Sequence, residues 1–162
     1  MRPPLNSFCD QKAPTAAAAD FPILRSASFF VTICTLHRRK IDRLDLAHEA
    51  FRKYALRGTQ EFNVGVGRYV IMPDHIHFFV RGDDQFDFFK WVNGLKRSIS
   101  VALGATSKRP MWQPGFCDHV LRNDESYAQK WAYVRENPVR AGLVDAAAEW
   151  RYQGNIVVID RA

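Results

Sequence analysis

Residues 69–80 read Tyr-Val-Ile-Met-Pro-Asp-His-Ile-His-Phe-Phe-Val, and this stretch decides the fold that we expect for the chain. One apolar run ends at Ile71, residues 72–74 have the composition of a turn, and a second run rich in β-formers follows. Because side chains alternate across a strand, His75 and His77 share one face of the second strand. The pattern predicts two strands, one of which carries a pair of imidazoles.

The histidine pair is a candidate metal site, because two neutral imidazoles on one face are able to bind a single divalent ion. A metal site in a protein usually has a third ligand from the chain. The spacing alone therefore leaves two interpretations open, a metal site and a pair of histidines on a solvated sheet face.

Composition predicts one folded domain, and its positive charge is compatible with a polyanion as a binding partner. The chain has 162 residues, of which 47% are hydrophobic and 13% aromatic, enough to bury a core. No apolar run approaches the roughly 20 residues that span a bilayer, and the N-terminus lacks the apolar core of a secretory signal. The net charge of +6 suits a nucleic-acid partner, as it does other anions.

Cysteine usage points to a reducing compartment. The three cysteines Cys9, Cys34 and Cys117 are odd in number and far apart, and no two of them form a Cys-x-x-Cys pair. This spacing argues against a disulfide framework and against a thiolate zinc site. We expect a cytoplasmic protein that does not associate with membranes.

The order of predicted elements indicates an α+β fold. Strands are expected at residues 28–36, 64–71, 76–80 and 116–121, and amphipathic helices at 44–57, 86–103 and 123–137. The order strand, helix, strand, strand, helix, strand suits a ferredoxin-like (RRM-like) antiparallel sheet with helices on one face. The additional C-terminal helix, ending before Pro138, is expected to cross the other face and to bring Tyr133 and Asn137 to the histidines.

Flanking segments complete the predicted organisation. Residues 1–25 are rich in proline and alanine without periodicity, which predicts a disordered arm. The domain is expected to span residues 26–145, and residues 146–162 form a tail that packs on it. Gly65 and Gly67 in the second strand permit a bulge or the close approach of another backbone.

Three ordered motifs then carry a family resemblance. Residues 69–77 (Tyr-Val-Ile-Met-Pro-Asp-His-Ile-His), 112–122 (Trp-Gln-x-Gly-Phe-x-Asp-His-x-x-Arg) and 133–143 (Tyr-Val-Arg-Glu-Asn-Pro-Val-Arg-Ala-Gly-Leu) resemble the REP-associated tyrosine transposases. These are relatives of the insertion-sequence HUH transposases, which use a His-hydrophobic-His motif and one tyrosine. The resemblance covers residues 28–144, most of the chain.

The resemblance implies specific roles for four residues. It makes Tyr133 the nucleophile and His75 and His77 metal ligands, and it places Asn137 where relatives often have a glutamine as a third ligand. The implied cofactor is Mg²⁺ or Mn²⁺. An amide oxygen suits either ion, but imidazole is an unusual ligand for Mg²⁺, so the choice between the two ions stays open. The implied reaction cuts single-stranded DNA near REP-type hairpins through a 5′-phosphotyrosine and transfers the strand.

Alternatives remain open on the residues alone. Tyr127 lies on the same predicted helix and is the rival nucleophile. A domesticated DNA-binding protein without catalysis retains the same motifs, and a metal hydrolase would use His75 and His77 without covalent chemistry. A monomer is favoured, and a dimer that exchanges the tyrosine helix is the other possibility.

Basic and aromatic side chains give candidate DNA contacts. Clusters of Lys and Arg suit phosphates, although each is equally a solvated surface. Trp112 is either a base-stacking residue or a buried one. His119 either positions a phosphate, assists proton transfer or bonds a loop, and Arg122 suits phosphate binding. The other predicted DNA contacts are Arg38, Arg39, Lys40, Lys96, Arg97, Lys108 and Arg109. Of these, Lys96 and Arg97 are expected on the exposed side of the second helix.

Overall fold

One five-stranded sheet organises the chain. The computed structural model describes residues 28–83, 85–122 and 124–159, so the arm predicted at residues 1–25 lies outside them. The strands are β1 (Ser28–Cys34), β2 (Gly65–Ile71), β3 (His75–Arg81), β4 (Cys117–Leu121) and β5 (Gln153–Asn155). The helices are α1 (Leu44–Glu61), α2 (Phe88–Ala102), α3 (Asp124–Val134) and α4 (Asn137–Arg140).

Strand order confirms the ferredoxin-like prediction. The sheet runs β4-β1-β3-β2-β5, and each neighbouring pair is antiparallel. β1 and β3 are adjacent in the middle, where Thr32 lies opposite His77 and Cys34 opposite His75. The histidines therefore stand near the centre of the sheet, on the face shared by the even-numbered residues of β1.

Each face of the sheet has its own core. α1 and α2 cover the first face, where Ile33, Ile76 and Phe78 are fully buried among helix side chains. The second face, which carries the histidines, is partly covered by α3 and the C-terminal tail. The buried residues of this second core are Phe30, Val70, Met72, Phe79, Tyr127, Val134, Trp150 and Ile159.

A bulge in β2 confirms the prediction made from its glycines. The pairing of β2 with β3 shifts between Val66 and Tyr69. The hydroxyl of Tyr127 accepts the backbone N–H of Arg68 at 3.1 Å, which satisfies one donor of the irregular segment. A Cβ on Gly67 would lie 2.6 Å from that hydroxyl, so this position requires glycine for the close approach of α3.

The end predicted for the first helix, near Gly58, was wrong. α1 continues through Gly58 to Glu61. A Cβ at Gly58 would lie 3.2 Å from Nε1 of Trp91, so the glycine makes room for α2. Helix packing at this point outweighs the low helix propensity of glycine.

The prediction of one continuous final helix, stopped by Pro138, was also wrong. α3 ends at Val134, and α4 begins at Asn137 with Pro138 in its first turn. Proline is tolerated there because the first-turn N–H has no partner within the helix. Tyr133 and Asn137 therefore lie on two helices, and they are not one turn apart on a single helix.

The segment after α4 returns to the sheet and completes it. β5 pairs with β2, and the backbone N–H of Ile71 donates to the carbonyl of Tyr152 at 2.8 Å. The indole N–H of buried Trp150 donates to the carbonyl of Ile71 at 2.9 Å. This tail packs on the domain beside the histidine face.

Of the helices in the described part of the chain, none combines the length and the apolar character that crossing a membrane requires.

Replacing Trp150 with phenylalanine is expected to lower the free energy of unfolding by about 1 to 2 kcal/mol, because the buried carbonyl of Ile71 loses its donor. Urea denaturation measures the change. Tyr152→Phe is the matched control, since it removes a polar atom from the neighbouring half-buried ring. Equal effects of the two substitutions would contradict the role assigned to the indole.

Candidate functional site

The two histidines form a compact pair held by different partners. Their ring centroids are 4.7 Å apart and the rings are nearly perpendicular. Nδ1 of His75 lies 2.6 Å from Oδ1 of Asp74, and Nδ1 of His77 lies 2.7 Å from the hydroxyl oxygen of Thr32. These bonds orient both rings through Nδ1, so Nε2 is the nitrogen of each histidine that a metal ion would use.

Asp74 is itself held in place by Arg38. Nε of Arg38 lies 3.0 Å from Oδ2 of Asp74, and Nη1 of Arg38 donates to Sγ of Cys34 at 3.1 Å. Burial alone would raise the pKa of Asp74, but the hydrogen bond to His75 and the charges of His75 and Arg38 lower it below its ordinary value. An ionised carboxylate therefore orients the first imidazole.

The surroundings of His77 disfavour its protonated form. Burial lowers the pKa of His77 well below its ordinary value, and the positive charges of Arg38, Arg140 and Lys130 lower it further. A metal ligand must present a free lone pair, so a histidine that stays unprotonated near neutrality has the state that coordination requires.

A divalent ion at the two histidines would need a third ligand other than His, Cys, Asp or Glu. Among the described residues, no three side chains of His, Cys, Asp or Glu form a cluster suited to a metal. Asn137 is buried at the start of α4, and its Oδ1 accepts a hydrogen bond from Nη2 of Arg140. An amide oxygen has two lone pairs, so this bond leaves one for another partner.

Arg140 links the tyrosine to the histidine face. Its guanidinium lies 4.3 Å from the ring centroid of Tyr133, and its Nη2 donates to the carbonyl of Tyr133 at 2.7 Å. The same group bonds Asn137, and its charge acts on His77. Arg140 therefore contacts both the tyrosine and the amide.

Lys130 makes a second link from α3 to the same face. Its ammonium lies 5.2 Å from the ring centroid of Phe30, and that ring stacks on His77 with centroids 5.4 Å apart. α3 therefore crosses the histidine face, as the sequence predicted.

The two tyrosines of α3 occupy different environments. Tyr133 is 57% exposed, which leaves its phenol accessible to a substrate. Tyr127 is 4% exposed, and its ring packs on Phe79 with centroids 4.1 Å apart. Because the hydroxyl of Tyr127 is engaged at the β2 bulge, Tyr127 has a structural role.

The expectation that Lys96 lies on the exposed side of its helix was wrong. Lys96 is buried, and its ammonium donates to the carbonyls of Gln113 and Gly115, each at 2.8 Å. Its long stem lets a cation on α2 reach the loop before β4. Burial lowers the pKa of Lys96, but its two acceptors account for its position without any ligand.

Trp112 is anchored in the same region. Its indole N–H lies 2.9 Å from the carbonyl of Lys96 and 3.0 Å from the hydroxyl of Ser100. The ring is partly buried and packs against the core. These contacts agree with the packing interpretation of Trp112.

The other predicted DNA contacts lie at the surface. Arg39 is exposed and donates through Nη2 to the carbonyl of Pro110 at 2.6 Å, which joins the segment after β1 to the loop before β4. His119 is exposed on β4 and pairs in register with Phe30, on the histidine face. The remaining exposed members are Arg38, Lys40, Arg97, Lys108, Arg109 and Arg122.

Sequence reasoning missed the supporting residues Thr32, Asp74 and Arg140. Thr32 becomes visible only when β1 is placed beside β3 in register. Asp74 directly precedes His75, and Arg140 lies inside the third motif. Both residues therefore belong to the motifs, but the sequence pattern assigns neither of them a role. Their roles depend on contacts that spacing does not specify.

Comparison with known proteins identifies the family. The model of the family described as transposase IS200 like matches residues 25–137, and the chain belongs to this family. The chain is 25% identical over 132 residues to the REP-associated tyrosine transposase of Escherichia coli (strain K12), covering 80% of this chain and 76% of that protein. This match confirms the resemblance found in the motifs.

A solved structure agrees with the fold. The structure of a REP-associated tyrosine transposase bound to a REP hairpin superposes with a TM-score of 0.70 at 21% identity. The match covers 91% of this chain and 92% of the other. Fold and family therefore agree.

Replacing Lys96 with methionine is expected to lower the free energy of unfolding by about 1 to 3 kcal/mol, because two carbonyls lose a charged donor. Thermal or urea denaturation measures the loss. Lys90→Met, on the exposed side of the same helix, is the control and should change stability by less than about 0.5 kcal/mol. A Lys96 variant as stable as this control would contradict the structural role.

Proposed function

We propose that the chain is a transposase-like enzyme, a metal-dependent endonuclease and strand transferase that acts on single-stranded DNA near REP-type hairpins. The observation that carries the proposal is the position of Arg140, which contacts both Tyr133 and Asn137. Tyr133 is exposed on a helix that packs on the face carrying the two oriented imidazoles, which supports a role in tyrosine-mediated phosphoryl transfer.

The proposed substrate rests on the family and on charge. A structurally similar transposase was solved with a REP hairpin bound, and this chain carries a net charge of +6. Exposed Arg and Lys side chains supply affinity for phosphates regardless of base sequence. Hairpin-flanked single-stranded DNA is therefore the substrate class that we assign.

The proposed reaction is a transesterification at phosphorus. The phenol oxygen of Tyr133 forms a bond to phosphorus, and the bond from phosphorus to the 3′ oxygen of the neighbouring nucleotide breaks. The phenol loses its proton and the departing oxygen gains one. The products are a 5′-phosphotyrosine and a free 3′-hydroxyl, and attack by another 3′-hydroxyl on the phosphotyrosine joins strands without a nucleotide triphosphate.

Side chains of this chain have distinct proposed roles. His75, His77 and Asn137 would hold Mg²⁺ or Mn²⁺, which when bound supplies positive charge beside a non-bridging phosphate oxygen. Asp74 and Thr32 hold the imidazoles in orientation through their Nδ1 atoms. Arg140 positions the Tyr133 ring from one side and the Asn137 amide from another.

We propose that a monomer carries the complete site. α3 packs on its own sheet through Tyr127, and Trp131 approaches Phe79 with centroids 6.5 Å apart. The tyrosine helix therefore packs on the histidine-bearing face of its own sheet, which supports a site built from a single chain.

Covalent capture tests the nucleophile. Wild-type protein, incubated with Mn²⁺ and a labelled single-stranded oligonucleotide that contains a hairpin, is expected to form an adduct that survives a denaturing gel. Tyr133→Phe removes the attacking oxygen and should abolish the adduct. Tyr127→Phe should retain it, although the loss of the bond to Arg68 makes that variant less stable by about 1 kcal/mol.

The same assay separates the alternative functions. Binding of the oligonucleotide without any adduct in the wild-type protein would indicate a DNA-binding protein without catalysis. Cleavage that persists in Tyr133→Phe would indicate a hydrolase that uses water. An adduct that is retained in Tyr133→Phe and lost in Tyr127→Phe would show that the buried Tyr127 is the nucleophile.

Metal affinity tests the orientation of His77. Thr32→Val keeps the shape of the side chain but removes the partner of Nδ1, and we expect Mn²⁺ to bind about 10 to 100 times more weakly. Calorimetry or electron paramagnetic resonance of Mn²⁺ measures this without DNA. Thr59→Val on α1, which alters a threonine hydroxyl bonded to backbone carbonyls, is the control. Equal affinity in the two variants would refute the proposed role of Thr32.

A further inference from the structure

The helix α3 packs on the histidine face of the sheet through one stripe of side chains. Tyr127 and Val134 are buried in the second core, and Trp131 is partly buried against it. Each residue of an α-helix is turned by about 100° from the one before. This spacing places Lys130 and Tyr133 on the same flank of the stripe, with Lys130 nearer to the sheet.

Two contacts between a cation and an aromatic ring show which strand each flank of α3 faces. The guanidinium of Arg68, on β2, lies 5.5 Å from the ring centroid of Trp131. The ammonium of Lys130 lies 5.2 Å from the ring centroid of Phe30, on β1. β3 lies between β2 and β1 in the sheet. One flank of α3 therefore faces β2, and the flank that carries Lys130 and Tyr133 faces β1.

The two sides of α3 differ in their access to solvent. On the β2 side the C-terminal tail covers the sheet, because β5 pairs with β2 and Ile159 is buried with Tyr127 in the second core. On the other side Phe30 pairs in register with His119 of β4, which is exposed. Within the described part of the chain, the flank with Lys130 and Tyr133 therefore borders exposed sheet surface.

A single aromatic ring separates Lys130 from the histidine pair. The ring of Phe30 stacks on His77 with centroids 5.4 Å apart, and the ammonium of Lys130 lies over that same ring. A contact between an ammonium and an aromatic face is weaker than a charge-assisted hydrogen bond to a phosphate. A phosphate that arrives between Tyr133 and His77 is therefore able to attract the ammonium of Lys130 at little cost to the fold.

We infer that the ammonium of Lys130 binds the phosphate that Tyr133 attacks. It donates a hydrogen bond to a non-bridging oxygen of that phosphate and stabilises the negative charge that develops there in the transition state. The contact transfers no proton, so the bonds that form and break in the transesterification are unchanged. Lys130 is then a second catalytic side chain on α3. The inference rests on the proposed function, which supplies the reaction and its nucleophile.

The rate of adduct formation tests this inference. A hairpin oligonucleotide with a single-stranded flank is mixed with excess protein and Mn²⁺, so that one turnover is observed at saturation. Lys130→Met keeps an apolar side chain over Phe30 but removes the charge, and the adduct should form about 10 to 100 times more slowly, the loss of one charge-assisted hydrogen bond. Lys130→Arg restores a cation and should recover most of the rate. Arg68→Met is the matched control, because it removes a half-buried cation from the other flank of α3, and it should react at the wild-type rate.

Neutralising one phosphate at a time identifies the partner of Lys130. A methylphosphonate linkage replaces a non-bridging oxygen with a methyl group and removes the negative charge. Affinity for oligonucleotides with this linkage at successive positions is measured in the Tyr133→Phe background with EDTA, so that no chemistry contributes. At the linkage that wild-type protein cuts, the substitution should weaken binding by about tenfold when Lys130 is present and have no effect after Lys130→Met. A lysine that only supports the fold would leave the pattern of sensitive linkages unchanged.

Two outcomes would overturn the inference. One is a Lys130→Met variant that forms the adduct as fast as Arg68→Met does. The other is a cut linkage whose neutralisation weakens binding equally with and without Lys130. If Lys130→Met does not fold, Lys130→Gln takes its place in both assays. Failure of the proposed function appears separately, as wild-type protein that forms no adduct. The binding comparison needs no cleavage and still decides in that case, because the inference is rejected unless one linkage loses its effect in Lys130→Met.

Discussion

The antiparallel pairing of β1 with β3 is the constraint on which the rest of the structure depends. It places Thr32 opposite His77 and Cys34 opposite His75 at the centre of the sheet. A shift of one residue in this register would turn the histidines toward the helices α1 and α2 and would expose Ile76 and Phe78. Because Ile76 and Phe78 are fully buried, the apolar core fixes the register and therefore the orientation of the imidazoles.

The same pairing makes it possible to hold two polar rings on a partly covered sheet face, where His75 is buried and His77 is half-buried. A buried imidazole without partners would be unfavourable, but Nδ1 of each histidine has an oxygen within hydrogen-bond distance. The carboxylate of Asp74 is in turn balanced by Arg38, which, like His37, has a left-handed backbone conformation. Arg38 therefore supports the histidines as well as being a candidate phosphate contact.

Much of this arrangement could be predicted from the sequence. Alternation in residues 69–80 indicated which face carries the histidines, and element order indicated the sheet. The errors arose where long-range contacts outweigh local preference. Lys96 looks exposed by helical spacing, but the carbonyls of the loop before β4 attract its ammonium. Gly58 resembles a helix stop until Trp91 is packed against it. No pattern within the chain specifies these partners, because each lies 17 or more residues away in sequence.

The break between α3 and α4 has a consequence that a continuous helix would not provide. On one helix, residues four apart share a face and have similar access to solvent. Here Tyr133 is 57% exposed while Asn137 is 9% exposed. A nucleophile must meet a phosphodiester that arrives from solvent, whereas a ligand is best held in a fixed, buried position. Two separate helices allow an exposed nucleophile and a buried ligand, but they also remove the rigid spacing between Tyr133 and Asn137. Arg140 replaces that spacing by bonding to both, and its side chain therefore determines how the proposed nucleophile and the proposed ligand are placed relative to each other.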